Sequence, residues 1–196
     1  MKHVVTIFGF MLLSFSFHAN AALVVDQNQA INNSYMAGFS QNDLAQSFQQ
    51  TNDNIVGAGI FLRENVGSSD TVTISLYDAL PNQAGNLLAS ASGLGTQGSW
   101  FDVFWNPVSV ISDTTLFLVF TSAADTLGIS GDTLNSYDRG QVYANTNFSS
   151  FSAFDYTFRT YSDDEVVVSA VPEPLSVALL GLGLFGIALT RKKKAA

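Results

Sequence analysis

The chain has 196 residues, no cysteine, two histidines and a formal net charge of −8. Lack of thiols rules out disulfides and a cysteine nucleophile, and because His3 and His18 both precede residue 22, the chain beyond it also lacks the imidazole that a Ser-His-Asp triad or a His-ligated zinc requires. From Ala22 to Val171 the basic residues are Arg63, Arg139 and Arg159, against acidic ones running from Asp26 to Glu165, a balance that repels phosphate backbones and excludes nucleic acid as a partner.

The opening stretch, MKHVVTIFGFMLLSFSFHANA, places Lys2 and His3 before an apolar run from Val4 to Phe17 and closes on Ala19-Asn20-Ala21. That order predicts a secretory signal peptide over residues 1–21, cut by signal peptidase after Ala21. The competing reading, an N-terminal membrane anchor, is disfavoured by so short an apolar run ending in small residues.

Residues 22–165 then read as one domain. LVVDQNQAINNSYMAGFSQND predicts a short first strand followed by a long polar loop. Beyond it come short alternating segments separated by Gly, Pro, Asn and Asp. In TVTISLYD, Val72, Ile74 and Leu76 share one face and Thr71, Thr73, Ser75 and Tyr77 the other, as in a half-buried strand. The turn residues between Ala79 and Asn86 lead to a second strand from Leu87, which together make a hairpin. SWFDVFW sets Phe101, Val103 and Trp105 against Trp100, Asp102 and Phe104, and in TLFLVF the residues Leu116, Leu118 and Phe120 alternate with Phe117 and Val119. With both faces apolar, these two segments predict strands covered on each side. In FDYTFRTY, Phe154, Tyr156 and Phe158 are expected inward, and Asp155, Thr157, Arg159 and Tyr161 outward. With LAQSF, IVGAGIFLRE, TLGIS and QVYA added, roughly nine short strands predict an all-β fold, an antiparallel β-sandwich in jelly-roll-like order.

The tail changes character. In Val171-Pro172-Glu173-Pro174, two prolines fix φ and remove backbone donors, so this tetrapeptide reads as extended, at the end of a linker expected over residues 166–174. Residues 175–190 are uncharged, and as a helix they would rise about 24 Å against a hydrocarbon core of about 30 Å. Snorkelling of the flanking Arg191, Lys192, Lys193 and Lys194 covers the difference. Those cations would stop transfer and leave residues 191–196 in the cytoplasm. A C-terminal core helix is the disfavoured alternative, since the sandwich already satisfies its own faces. A permanent anchor that is never processed remains open.

Pro172-Glu173-Pro174, the apolar segment and the basic end together resemble the PEP-CTERM sorting signal of exported proteins in Gram-negative bacteria. The resemblance implies recognition by an exosortase, an inner-membrane-anchored precursor, and a mature form at the cell surface or in the extracellular matrix. Hosts of this system typically make exopolysaccharide, so it also implies a role in biofilm or floc matrix. The body is similar in style to jelly-roll modules of anchored surface proteins, through Ala45-Gln46-Ser47-Phe48, VTISLYD with LLASAS, and Phe158-Arg159-Thr160-Tyr161.

Three constellations carry candidate chemistry. Trp100, Trp105, Tyr137 and Tyr143, with Tyr161, offer flat rings on which sugars stack, against the plainer reading that aromatics fill the core. Asp132, Asn135 and Asp138 in a Gly-bounded loop supply oxygen ligands for a structural calcium, against ordinary Asx-turn chemistry. Asp102, flanked by Trp100 and Phe104, is the carboxylate a polysaccharide-degrading enzyme would use, but such an enzyme needs a second one that the sequence does not assign. The expectation is a non-catalytic, cofactor-free sandwich that binds exopolysaccharide weakly, with the hydrolase as its alternative.

Overall fold

Period-two alternation does become strand throughout the computed structural model, which describes residues 22–164. The expected signal peptide, the linker with Pro172, Glu173 and Pro174, the membrane helix and the basic tail lie outside the described residues, as does Glu165. Among the described residues no helix is long and apolar enough to cross a membrane.

The described residues form thirteen strands: β1 (Ala22–Gln29), β2 (Ser34–Gly38), β3 (Leu44–Gln49), β4 (Asn54–Glu64), β5 (Ser69–Tyr77), β6 (Leu87–Thr96), β7 (Trp100–Ser109), β8 (Thr115–Ser122), β9 (Leu127–Asp132), β10 (Val142–Ala144), β11 (Ser149–Phe151), β12 (Asp155–Tyr156) and β13 (Phe158–Asp164). They make two antiparallel sheets. One runs β1-β13-β4-β9-β12, with β7 also on β4 and β2 also on β9, and the other runs β11-β10-β3-β8-β5-β6. The long strand β4 forks: Gly57–Ile60 pair with β13, Ile55 and Gly57–Phe61 pair with β7 across a bulge, and Leu62–Glu64 pair with β9.

The inner faces meet in one core. Val72, Ile74 and Leu76 from β5, Leu118 from β8 and Phe48 from β3 are fully buried together with Ile60 and Phe158 from the other sheet. Phe48 and Phe158 touch across the sheets with ring centroids 6.2 Å apart, and Phe120 and Tyr156 at 5.8 Å. On the outer face of the β5–β6 hairpin the alternate residues pair hydroxyl to hydroxyl, Thr73 with Ser92 at 2.7 Å and Ser75 with Ser90 at 2.8 Å, which is where a polar strand face belongs.

β8 is apolar on both faces for a different reason. Its outer residues Phe117 and Val119 join Ala45, Leu80, Tyr77, Tyr143 and Phe148 in a second apolar cluster. Leu80 comes from the β5–β6 connection and Phe148 from the β10–β11 turn, and Asn82 Nδ2 ties the two loops by donating to Asn147 O at 2.8 Å. Loops, not a third sheet, cover that face.

Two expectations are corrected. The long polar loop after the first strand contains β2, a five-residue segment held by β9 whose register is bulged between Tyr35 and Ala37, so it is too short and too interrupted for alternation to show between its polar flanks. FDYTFRTY is two strands, and Asp155 and Thr157 are fully buried instead of facing outward. β12 lies against β9 while β13 lies between β1 and β4, and Thr157, at the junction, gives its N–H to Ser130 O at 2.9 Å.

Candidate functional site

Arg159 of β13 and Asp102 of β7 are both registered on Gly59 of β4, which lies between them. One row further, Tyr161 and Phe104 are both registered on Gly57. Side chains on opposite flanks of a central strand are ordinarily held apart by the residue between them, but here that residue has no Cβ. A Cβ added at Gly59 would lie 2.0 Å from Asp102 Oδ1, and one at Gly57 would lie 2.6 Å from Phe104 Cδ1. The glycines let Asp102 and Phe104 reach across β4 and touch their partners on β13.

The contacts that result are dense. Arg159 Nε donates to Asp102 Oδ1 at 2.8 Å, Arg159 Nη2 donates to Asp102 Oδ2, and the Tyr161 hydroxyl donates to Asp102 Oδ1 at 2.9 Å. This is a bidentate fork, which holds the guanidinium in one plane. Arg159 Cζ stands 4.1 Å from the centroid of the Trp100 ring, and Trp100 meets Phe61 edge-on at 5.8 Å. Phe104 packs on Tyr161 at 5.1 Å. The Asp102 hydrogen bond makes Arg159 hold its proton more tightly than an ordinary arginine. Burial, reinforced by the neighbouring Asp102 carboxylate, raises the Tyr161 pKa.

The outer face of this sheet therefore carries a platform. Phe104 is half exposed, Trp100 is half-buried, and the Asp102 and Arg159 side chains keep 22% and 25% of their surface. Aromatic faces alternate with a fixed ion pair that still has polar edges open to water. Three donors hold Asp102 in place, and its remaining acceptor capacity faces the partly exposed surface.

The other aromatic candidates are scattered. Trp105 packs against the main core and donates its Nε1–H to Ile55 O at 3.2 Å. Tyr137 is buried, its hydroxyl donates to Gln27 Oε1 at 2.9 Å, and burial pushes its pKa up to about 12. Tyr143 sits on the outer face of the opposite sheet, edge-on to Phe117. Of the four, Trp100 alone is in the platform. Phe104 and Arg159 belong to it and were not singled out in the sequence; the signal that marks them is Gly57-Ala58-Gly59, two glycines at strand spacing inside an otherwise apolar strand.

In the oxygen-rich loop, Asp132 is fully buried and accepts from the Ser136 hydroxyl and N–H and from Asn33 Nδ2. The Ser136 hydroxyl leads in holding its carboxyl below the usual range. Asn135 takes a left-handed φ of 51°, and Asp138 is exposed. Across the strand pair Asp155 is also fully buried; burial pushes its carboxyl up, and the nearby charge of Asp132 acts in the same direction. Among the described residues no group of three His, Cys, Asp or Glu side chains is arranged to hold a metal ion.

Compared with known proteins, residues 170–193 match the model of the PEP-CTERM protein-sorting motif. The match takes in Pro172, Glu173 and Pro174 together with Arg191, Lys192 and Lys193, and stops one residue short of Lys194. Such a motif marks an exported protein, directed to an exosortase through a membrane-anchored precursor and carrying here a β-rich body. None of the curated proteins matches the chain.

Proposed function

We propose that the chain is a surface or extracellular-matrix protein of a Gram-negative bacterium, released from its signal peptide by signal peptidase after Ala21, whose sandwich binds exopolysaccharide without catalysis or cofactor. The observation that carries the binding reading is the glycine-spanned pair of rows, Asp102-Gly59-Arg159 and Phe104-Gly57-Tyr161, beside Trp100. Rings left half in water keep apolar surface that the fold does not use, and a sugar ring has an apolar C–H face that stacks on such surface and hydroxyls that meet the polar edges of an arginine and a carboxylate. The strand orders β1-β13-β4-β7 and β3-β8-β5-β6 support reading the sandwich as a jelly roll, an architecture common among lectin domains.

The test is retardation of the exported protein in native gels containing the exopolysaccharide of its own host. Retardation is expected, together with its loss in Trp100→Ala while circular dichroism shows the β fold retained. Unretarded migration of the parent protein sinks the binding reading and leaves export and sorting untouched. Release of reducing ends from the same polysaccharide, abolished by Asp102→Asn, would replace binding with hydrolysis.

A further inference from the structure

The outer face of the second sheet carries a polar groove of about 400 Å³. Ser47 and Gln49 of β3, Thr115 of β8, Tyr143 of β10, and Arg139 and Gln141 of the loop before β10 line it. Alternation decides where it points. Phe48 lies between Ser47 and Gln49 and faces the core, as do Leu116 beside Thr115 and Val142 beside Tyr143, so the lining side chains project away from the core. On the other sheet Phe101, Val103 and Phe158 face the core, and Trp100, Asp102 and Arg159 project the opposite way. Groove and platform are therefore on opposite faces of the sandwich.

The groove wall is fixed in place. Ser47 N donates to Gln141 O at 3.0 Å and Gln141 N donates to Ser47 Oγ at 2.9 Å, which pins the loop to β3. Gly140 is where the two backbones press together, since a Cβ there would lie 1.9 Å from Ser47 O. Gln141 Nε2 donates to the Tyr143 hydroxyl at 2.7 Å and orients it, and Arg139 is steadied by Thr51 and by its ion pair with Asp113. Groups held this way lose little freedom when a ligand arrives.

The chemistry of the lining selects the ligand. Two carboxamides, two hydroxyls and a phenol offer donors and acceptors in both directions, which matches a molecule whose free hydroxyls each donate and accept. The single cation is neutralised by Asp113, with the Asp138 carboxylate also in the lining, so the groove has no net attraction for an anion.

We infer that this groove is a second subsite for a neutral oligosaccharide, so that one molecule bridges two polysaccharide strands through opposite faces. The inference rests on the saccharide reading of the Trp100 platform, and joining two weak sites on one rigid body multiplies their hold on a polymer without any new contact.

The exported protein is titrated by calorimetry with cellohexaose, laminarihexaose and chitohexaose, and mixed with hydroxyethylcellulose, laminarin and glycol chitin for light scattering. Two sugars per chain are expected for at least one probe. Gln141→Ala and Gln49→Ala should each weaken one of the two by about tenfold, the equivalent of a lost hydrogen-bonding group. Trp100→Ala should remove the other, and polymer-dependent particle growth should vanish in every one of these variants while binding persists. One sugar per chain, lost in Trp100→Ala and untouched by both glutamine variants, overturns the groove and keeps the platform. One sugar lost only in the glutamine variants overturns bridging and the platform reading together. No binding to any of the three probes overturns both.

Discussion

Gly59→Ala tests the glycine-spanned architecture directly. The new Cβ would stand 2.0 Å from Asp102 Oδ1 and 3.0 Å from its Cγ, so the aspartate must swing away from Arg159. Three hydrogen bonds go with it, two from Arg159 and one from Tyr161. Charge-assisted bonds contribute about 1.5–3 kcal/mol each when buried, but with the two side chains 22% and 25% exposed the value is discounted to about 1 kcal/mol apiece. The expected loss is about 3 kcal/mol, offset by about 0.5–1 kcal/mol because alanine is less costly to order in a strand than glycine. The net is about 2 kcal/mol, or about 8 °C at about 4 °C per kcal/mol for a domain of this size. Thermal melting followed by circular dichroism measures it, and tryptophan fluorescence reports on the platform through Trp100. The decisive comparison is a double-mutant cycle. In an Asp102→Ala background the obstacle is gone, and Gly59→Ala should become neutral or slightly stabilising, a coupling of about 3 kcal/mol. An equal cost in both backgrounds would refute the reasoning, because the strain would then lie in β4 itself.

Three further outcomes are expected. Phe158→Ala empties the space between Phe48 and Tyr137, whose ring centroids lie 6.2 and 5.0 Å from its own, and should cost about 3–5 kcal/mol by urea unfolding with an unchanged slope; a cost under about 1.5 kcal/mol would mean the core refills the cavity. Asp70 is buried, which opposes ionisation, yet N–H groups of Thr126, Ala124 and Thr71 and the Ser122 hydroxyl outweigh burial and keep its carboxyl below the ordinary range. Because the folded-state pKa is the lower one, this stabilisation is complete above the unfolded-state value and disappears as pH falls through the folded-state value, so Asp70→Asn should flatten the acid limb of stability between about pH 5 and 2, and an unchanged limb would discount the site. Replacing Pro172, Glu173 and Pro174 by alanine should leave a membrane-bound chain whose mass by mass spectrometry extends through Lys194; release of a shortened form despite the change would mean the motif is not what the sorting enzyme reads.

Much of the sandwich was legible in advance because strands such as β5 and the first half of β7 alternate with a period of two. Val72, Ile74 and Leu76 were expected on a buried face and are fully buried, and Phe101 and Val103 face the core while Trp100 and Asp102 do not. β2 was missed because it is five residues long and its pairing with β9 is bulged between Tyr35 and Ala37, which breaks the alternation. Asp155 was misassigned because alternation describes one strand at a time, and the residue that buries it comes from a neighbour: Tyr137 N donates to its Oδ2 at 2.9 Å from a loop 18 positions away.

The chemistry of the ends and the two-faced character of each strand are local properties, set by residues within a few positions of one another, and the chain determined them by itself. Prolines, an apolar run and four cations spell a sorting signal whatever the body does. The platform is not local. Residues 57 and 59, 100 to 104 and 159 to 161 become neighbours through a register in which β4 lies between β7 and β13, and only that pairing turns Gly59 into the gap through which an aspartate reaches an arginine and Gly57 into the gap through which a phenylalanine reaches a tyrosine.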